Sequence, residues 1–211
     1  MYENISIDLS HAPFNKNYLQ RILHVINNSV AEHPRTLAIR IDLHLPEYRD
    51  MGDSISCNPN LSQGLMSRFI ESLNARIGPL LNSKIKEGKR TYPSTLRYAW
   101  VRETGEDGKP HYHAVLFVNN DTFNSLGLYC NKGMGLASLI QAAWLSALGL
   151  LGMPNYQTLI HFPTNPLYYL DANTMDYQLI YNQLTFRLSY FAKERTKVYS
   201  SVERSFGCSQ R

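Results

Sequence analysis

Residues 95–118 read TLRYAWVRETGEDGKPHYHAVLFV, two apolar and aromatic runs on either side of a segment that contains two glycines. Runs rich in aromatic and β-branched residues around a short turn predict a β-hairpin, with strands over 95–103 and 111–118. Side chains alternate along a strand, so His111 and His113 project from the same face. The hairpin therefore supplies the first candidate site.

The segments that flank this hairpin predict two more strands and four helices. Apolar residues at helical spacing predict helices over 15–30, 61–86, 135–151 and 173–198. Strands are expected over 36–45, where polar and apolar residues alternate, and over 156–162. The resulting order, with a β-α-β-β-α-β core, predicts an α+β fold: a ferredoxin-like or RRM-like antiparallel sheet with helices on one face and an extra N-terminal helix.

Length and charge indicate the domain organisation and the kind of partner. The 211 residues predict one domain over 1–211, with an N-terminal helical extension (1–35), a core (36–198) and a tail (199–211). From Leu184 onward there are six Lys/Arg and two acidic residues, a net charge of +4 that equals the charge of the whole chain. Such a basic segment favours a phosphate-bearing partner, although a solvated helix face is an equally good explanation.

Cysteine usage and hydropathy indicate the compartment. The cysteines are few, odd in number and scattered, which argues for a reducing cytosol and against a disulfide framework; they are Cys57, Cys130 and Cys208. No signal-peptide pattern precedes the first helix. The uncharged stretch 133–160 is interrupted by Pro154, glycines and amides, so we expect a buried core helix there and no membrane span. A loop with Gly52 and Pro59 is expected after the first strand.

The hairpin offers a set of metal ligands. If Glu103 lies opposite His111, the carboxylate and the two imidazoles share one face near the turn. Two imidazoles and one carboxylate, with open positions for water and substrate, suit Mn²⁺ or Mg²⁺, and the ligand types are also compatible with zinc. A shift of one residue in the pairing would send Glu103 to the other face. The alternative without a metal is that His111 and His113 are hydrogen-bonded to neighbouring strands or to solvent.

The last predicted helix carries a second candidate group. Tyr190 and Lys193 are three residues apart and share one face, and Lys197 is expected almost above Tyr190. A phenol, with an ordinary pKa of about 10, becomes a better nucleophile beside an ammonium group and a metal ion. The two signals together predict a metal-assisted tyrosine that attacks a phosphodiester. The alternative is an amphipathic helix with a snorkelling lysine and an interfacial tyrosine.

This joint pattern resembles the HUH endonucleases of the rolling-circle replication and relaxase superfamily, and within it the replication proteins of filamentous phages and related prophages (the YagK/YfjJ type). The resemblance extends from about residue 36 to the C-terminus. Its matching segments are RIDLHLP (40–46), Arg102-Glu103, His111-Tyr-His113, AWLSA (143–147), Phe162-Pro163, SYFAK (189–193) with Thr196-Lys197, and RSFG (204–207).

The resemblance implies a fold, a metal site and a cofactor. The fold would be the HUH Rep fold, and the cofactor a divalent metal, Mn²⁺ or Mg²⁺. His111 and His113 take the place of the family's two metal-binding histidines. Glu103 is the expected third ligand, with His44 or Asp42 on the first strand as competitors.

The resemblance also implies an activity. Tyr190 corresponds to the nucleophile that attacks single-stranded DNA and leaves a 5′-phosphotyrosine link and a free 3′-hydroxyl, while Lys193 orients the phosphate or metal and helps to ionise Tyr190. The expected DNA contacts are Lys197, Arg187, Arg195 and Arg102. Tyr181 and Tyr199 are expected to face away from Tyr190, which favours a single nucleophile.

The implied role is nicking and rejoining of a replication origin or hairpin that initiates rolling-circle replication of phage, prophage or plasmid DNA in the bacterial cytoplasm. A host polymerase would extend the 3′-hydroxyl, a host helicase would separate the strands because the sequence has no helicase motif, and no membrane would be involved. Two rival functions remain open: a non-catalytic nucleic-acid-binding regulator on the same scaffold, and a metal-dependent phosphodiesterase that uses activated water.

Overall fold

The structure is a computed structural model that describes residues 5–46, 58–105, 108–127, 135–195, 197, 199 and 203–210. Several predicted features lie outside these residues: the loop at Gly52, Cys57, Cys130 and Thr196. Cys208, which is described, is a buried free thiol.

Four helices and six strands follow one another along the described residues. The helices are α1 (Lys16–Glu32), α2 (Leu65–Lys86), α3 (Leu136–Ala147) and α4 (Tyr177–Ser189), and 3₁₀ helices cover Leu9–His11, Pro154–Leu159 and Tyr190–Ala192. The strands are β1 (Arg35–Leu43), β2 (Arg97–Thr104), β3 (Pro110–Asn119), β4 (Ile160–His161), β5 (Leu167–Asp171) and β6 (Phe206–Cys208). The predicted α+β class is confirmed.

The sheet is centred on the predicted hairpin. Its strand order is β4-β1-β3-β2-β6, and β5 also pairs with β1. Strands β2 and β3 are antiparallel, with Glu103 opposite His111 and Val101 opposite His113. The register on which the metal-site prediction depended is therefore confirmed.

The chain divides into two compact units, of which the first contains the hairpin. It comprises the residues up to Asp42, Pro93–Asn124 and the residues from Phe162 onward. Helices α1 and α4 pack over the sheet face from which Ala99, Val101 and Val115 project. Because strand side chains alternate, this is also the face that carries Glu103.

The second unit comprises Leu43–Tyr92 and Ser125–His161 and is built on α2 and α3. Phe69 and Trp144 meet edge to face with ring centroids 5.6 Å apart, and the Trp144 indole donates a hydrogen bond to the His44 carbonyl (3.0 Å). Helix α3 is buried along most of its length, so the predicted core helix is confirmed. Among the described helices, none has the length and apolar character that crossing a bilayer requires. The expectation of one domain over 1–211 stays a prediction.

Two predictions about secondary structure were wrong, and two strands were missed. The strand expected over 156–162 is mostly the 3₁₀ helix Pro154–Leu159, in which proline occupies the first turn and fixes φ. The helix expected over 173–198 ends at Ser189, and a 3₁₀ turn continues it only to Ala192. Strands β5 and β6 were not predicted: both are short, and each gains its hydrogen bonds by pairing with a strand distant in the sequence.

Candidate functional site

A group of potential metal ligands lies where β2 and β3 approach their shared turn. One ligand atom from each of Glu103, His111 and His113 lies within 4.8 Å of the others. Glu103 is 2% exposed, and the two histidines are half-buried. The antiparallel pairing produces this cluster directly, because it places Glu103 opposite His111, and His113 lies two pairs further along on the same face.

His113 is oriented by a buried carboxylate. Its Nδ1 lies 2.5 Å from Asp42 Oδ1 on β1, and Arg40 donates a hydrogen bond to the same oxygen. Burial alone would raise the pKa of Asp42, but the hydrogen bond from His113 and the charge of Arg40 hold that pKa far below its usual range. Ionised Asp42 therefore accepts a hydrogen bond from Nδ1, which orients the ring and directs Nε2 towards Glu103.

The second ring nitrogen of His113, Nε2, is the atom that a ligand could bind. His113 Nε2 is buried and makes no hydrogen bond to any of the described residues. Its distance to Glu103 Oε2 is 3.5 Å. A buried nitrogen of this kind is costly unless it has a partner, and a neutral imidazole fixed by a carboxylate is a common metal ligand. The donor set of two imidazoles and one carboxylate thus fits a divalent metal such as Mn²⁺.

Two lysines neutralise Glu103. Lys197 Nζ lies 2.7 Å from Glu103 Oε1, and Lys193 Nζ lies 3.0 Å from Oε2. Burial raises the pKa of Glu103, but His113 and the paired Lys197 outweigh that effect and keep the pKa well below its usual range. Burial also lowers the pKa of Lys197, which the hydrogen bond to Glu103 partly offsets. The carboxylate is therefore held ionised between cationic partners.

Tyr190 extends into this cluster. Its hydroxyl donates a hydrogen bond to Glu103 Oε2 (3.3 Å), and its ring lies edge to face with His113, with centroids 5.3 Å apart. Lys193 Nζ lies 3.4 Å from the centre of the Tyr190 ring. An ammonium group in this position is attracted by the electron-rich face of the ring. The structure thus brings together Tyr190, Lys193 and the three potential ligands.

The turn that carries Tyr190 is held by residues 8–15, which we call the N-terminal strap. The Asp8 amide donates to Ser189 Oγ (3.0 Å), and the Asn15 amide donates to the Ala192 carbonyl (2.7 Å). Phe14 forms an isolated antiparallel bridge with Lys193. These bonds divert the chain from the helical path after Ser189, so Lys193 and Lys197 approach Glu103 from an irregular segment.

A cavity of about 640 Å³ adjoins the cluster. Tyr190, His113 and Arg40 line it together with residues of α4, β5 and the N-terminal strap. Arg40 is buried, and its guanidinium lies over the Phe191 ring, 4.8 Å from the centroid. The cavity is therefore bordered both by the guanidinium group of Arg40 and by the Tyr190 side chain.

Comparison with known proteins identifies the family. The model of the YagK/YfjJ C-terminal domain matches residues 4–209. The chain belongs to this YagK/YfjJ family. It is 43% identical to the uncharacterized protein YagK of Escherichia coli K12, over 84% of this chain and 85% of YagK. It is 36% identical to the uncharacterized protein YfjJ of the same strain, over 92% of this chain and 93% of YfjJ. No solved structure matches the chain.

The expected resemblance to the YagK/YfjJ type is confirmed. The other predicted site residues lie at different distances from the metal-ligand cluster. Arg187 lines the cavity and donates to the Thr164 carbonyl (2.9 Å), and Arg195 is exposed. Arg102 projects from the face opposite Glu103 and is paired with Glu203. His44 belongs to the second unit, and Asp42 contacts His113 as a hydrogen-bond acceptor.

Two residues of this YagK/YfjJ site were not predicted. Arg40 shares a strand face with Asp42, so the alternation along β1 contained a signal for it. His11 contacts the Tyr190 ring edge to face, with centroids 4.9 Å apart, and pairs with Asp8 (3.4 Å). No local pattern signals His11, since its contact with Tyr190 depends on how the two ends of the chain meet.

Proposed function

We propose that this protein is a metal-dependent endonuclease that nicks and rejoins single-stranded DNA through a covalent phosphotyrosine intermediate. The observation that carries the proposal is the meeting of Tyr190 with Glu103, at 3.3 Å, inside a cluster able to hold a divalent metal. A phenol buried only for packing has no need of a carboxylate at its hydroxyl, a lysine over its ring and a histidine against that ring. The resemblance to HUH endonucleases supports the same assignment.

Each side chain has a role that follows from its contacts. Glu103, His111 and His113 would hold Mn²⁺ or Mg²⁺, and Asp42 fixes the ring of His113. When bound, the metal supplies a Lewis acid that neutralises charge on a phosphate oxygen. Lys193, over the Tyr190 ring, stabilises the phenolate as it forms.

The proposed reaction exchanges one phosphate ester for another. Tyr190 Oη, which donates a hydrogen bond to Glu103 Oε2, releases its proton to solvent and attacks phosphorus, and solvent returns one proton to the leaving oxygen. The bond between phosphorus and the 3′-oxygen breaks, and that oxygen takes up a proton to become a free hydroxyl. The 5′-phosphate stays on Tyr190, so attack by a 3′-hydroxyl reverses the step and rejoins the strand.

The same proposal names partners and a biological role. A free 3′-hydroxyl is a primer for a host polymerase, and the absence of a phosphate-loop motif from the sequence assigns strand separation to a host helicase. Initiation of rolling-circle replication of phage, prophage or plasmid DNA is the role that needs both a polymerase and a helicase from the host. Arg187 and Arg195 extend the positive charge next to the site and are the proposed phosphate contacts.

The test uses a single-stranded DNA library with a randomised centre and a fluorophore at either the 3′ or the 5′ end. With Mn²⁺, the wild-type protein is expected to acquire the 3′-labelled fragment as an adduct that survives denaturing electrophoresis, while 5′-labelled DNA is shortened without becoming attached. The adduct is expected to disappear in Tyr190→Phe and to persist in the matched control Tyr169→Phe, an exposed tyrosine on β5.

Other outcomes overturn the proposal in distinct ways. Cleavage that survives in Tyr190→Phe would identify water as the nucleophile and the protein as a phosphodiesterase. Binding of DNA without cleavage, in any tested metal, would favour the non-catalytic regulator.

A further inference from the structure

The cavity beside Tyr190 contains more chemistry than the cleavage reaction uses. Tyr190 and His113 form one part of its wall, whereas most of the remaining wall comes from α4, β5 and the N-terminal strap. Its volume of about 640 Å³ lies within the range of about 300–1,000 Å³ that is usual for sites of small organic ligands. We define the base pocket as the part of this cavity lined by Tyr168, Asn182, Gln183, Phe186 and Arg187.

The base pocket has aromatic surfaces. Phe186 is 44% exposed although it is a large apolar side chain, and Tyr168 on β5 is half-buried. Tyr168 lies opposite Ala38 in the sheet and therefore projects from the same face as Arg40. Unpaired bases stack on aromatic side chains, and such stacking tolerates any base because every base has a π face.

The base pocket also has amide groups that can distinguish bases. Gln178 donates a hydrogen bond to Asn182 Oδ1 (3.0 Å), so the Asn182 side chain keeps its amide hydrogens for a ligand. Gln183 is exposed and offers both a donor and an acceptor. Side-chain amides read base edges through paired hydrogen bonds of this type.

The positive charge in the cavity indicates which kind of ligand it can bind. Arg40 and Arg187 line the same cavity, and Arg187 is held in place by its hydrogen bond to the Thr164 carbonyl. Because Arg40 is paired with Asp42, Arg187 is the guanidinium group that can meet a phosphate, and it lies beside aromatic rings and amides that fit a flat, polar ring. A nucleotide of a single strand has these features.

We propose that the base pocket holds one unpaired base of the nucleotide that flanks the phosphate attacked by Tyr190, and that Gln183 sets the base preference at that position. This inference rests on the proposed function and deepens it: the enzyme would require an unstacked base next to the cleaved bond. A duplex, whose bases are stacked and paired, cannot fill the pocket, so the pocket also selects single-stranded DNA.

The first arm of the test measures binding without cleavage. In a Tyr190→Phe background, fluorescence anisotropy follows the binding of the labelled single-stranded library. Phe186→Ala is expected to weaken binding by roughly 5- to 150-fold, the range for loss of one stacked base. Gln20→Glu, in a separate cavity against α1, is the matched amide-to-acid control for the Gln183→Glu variant of the second arm and is expected to leave both binding and base preference unchanged.

The second arm sequences the fragments that become attached to the protein with intact Tyr190. Gln183→Glu replaces a donor with an acceptor and is expected to change the preferred base at one position next to the cleaved bond, with the other positions unchanged. A uniform loss over all sequences would be a charge effect and would overturn the assignment of Gln183. Unchanged affinity in Phe186→Ala together with unchanged preference in Gln183→Glu would refute the base pocket while nicking stands. Absence of any wild-type adduct would refute the proposed function instead, and the anisotropy arm would still decide whether the pocket binds DNA.

Discussion

Replacing Lys197 with methionine removes the ammonium group that holds Glu103 and keeps a side chain of similar length. Lys197 Nζ lies 2.7 Å from Glu103 Oε1, and the lysine side chain is fully buried. A metal ion that binds this carboxylate is repelled by the ammonium group, since two cations held by the oxygens of one carboxylate lie close together. We therefore expect Lys197→Met to bind Mn²⁺ more tightly than the wild-type protein does.

The size of this effect follows from the contact. Two unit charges 2.7 Å apart attract by roughly 6 kcal/mol at an effective dielectric constant of 20. Desolvation offsets most of this attraction, and a hydrogen bond between charged groups contributes about 1.5–3 kcal/mol net. If metal binding no longer has to overcome this net free energy, the Kd for Mn²⁺ is expected to be lower by about 10- to 150-fold. Without metal, the variant is expected to be less stable than the wild type by a similar free energy of unfolding.

Isothermal titration of metal-free protein with Mn²⁺ measures the Kd, and thermal unfolding with and without metal measures the stability. Lys197→Arg retains the charge and is expected to keep a Kd close to that of the wild type. Lys16→Met, at an exposed lysine of α1, reproduces the change in net charge away from the site. A Kd for Lys197→Met equal to or higher than that of the wild type would refute the idea that lysine and metal compete for Glu103.

Three further predictions concern other contacts. Asp42→Asn removes the charge that orients His113, and its affinity for Mn²⁺, measured by the same titration, is expected to fall by about 10- to 100-fold. Gly207→Ala places a methyl group 2.5 Å from the Trp100 ring. Urea unfolding of this variant is expected to show a free energy of unfolding lower by about 1–3 kcal/mol. Burial raises the pKa of Tyr181 to about 12 from 10.0, so the neutral phenol contributes stability that is present below pH 10 and is lost as the pH rises towards 12. Tyr181→Phe is expected to remove this dependence from urea unfolding measured over the same pH range.

The sequence predicts the metal-ligand cluster well because this cluster lies on two strands that are consecutive in the chain. Alternation places His111 and His113 on one face, and a short turn limits the register, so Glu103 is found by local rules alone. The same alternation along β1 places Asp42 on one face with Arg40. Asp42 was expected near His113 as a competing metal ligand, but its role as the hydrogen-bond acceptor for His113 was not predicted.

The part that the sequence does not predict depends on contacts between distant segments. Helical spacing placed Lys193 and Lys197 beside Tyr190 on a helix that was expected to continue to residue 198. The helix ends at Ser189 instead, where the Asp8 amide bonds to the Ser189 hydroxyl across 181 positions in the sequence. Both lysines still contact Glu103, but they do so through an irregular segment that no periodicity describes.

The attachment of the N-terminal strap has a practical consequence for expression and evolution. A fragment cut at residue 36 retains every residue on which the family resemblance was based and looks complete by motif inspection. It lacks the backbone groups of Pro13 and Asn15 that bind the turn after Tyr190. Such a fragment would carry all the signature residues and yet hold the Tyr190 phenol loosely. Whether a related sequence can position this phenol is therefore better assessed from the segment that corresponds to residues 1–15 than from its motifs.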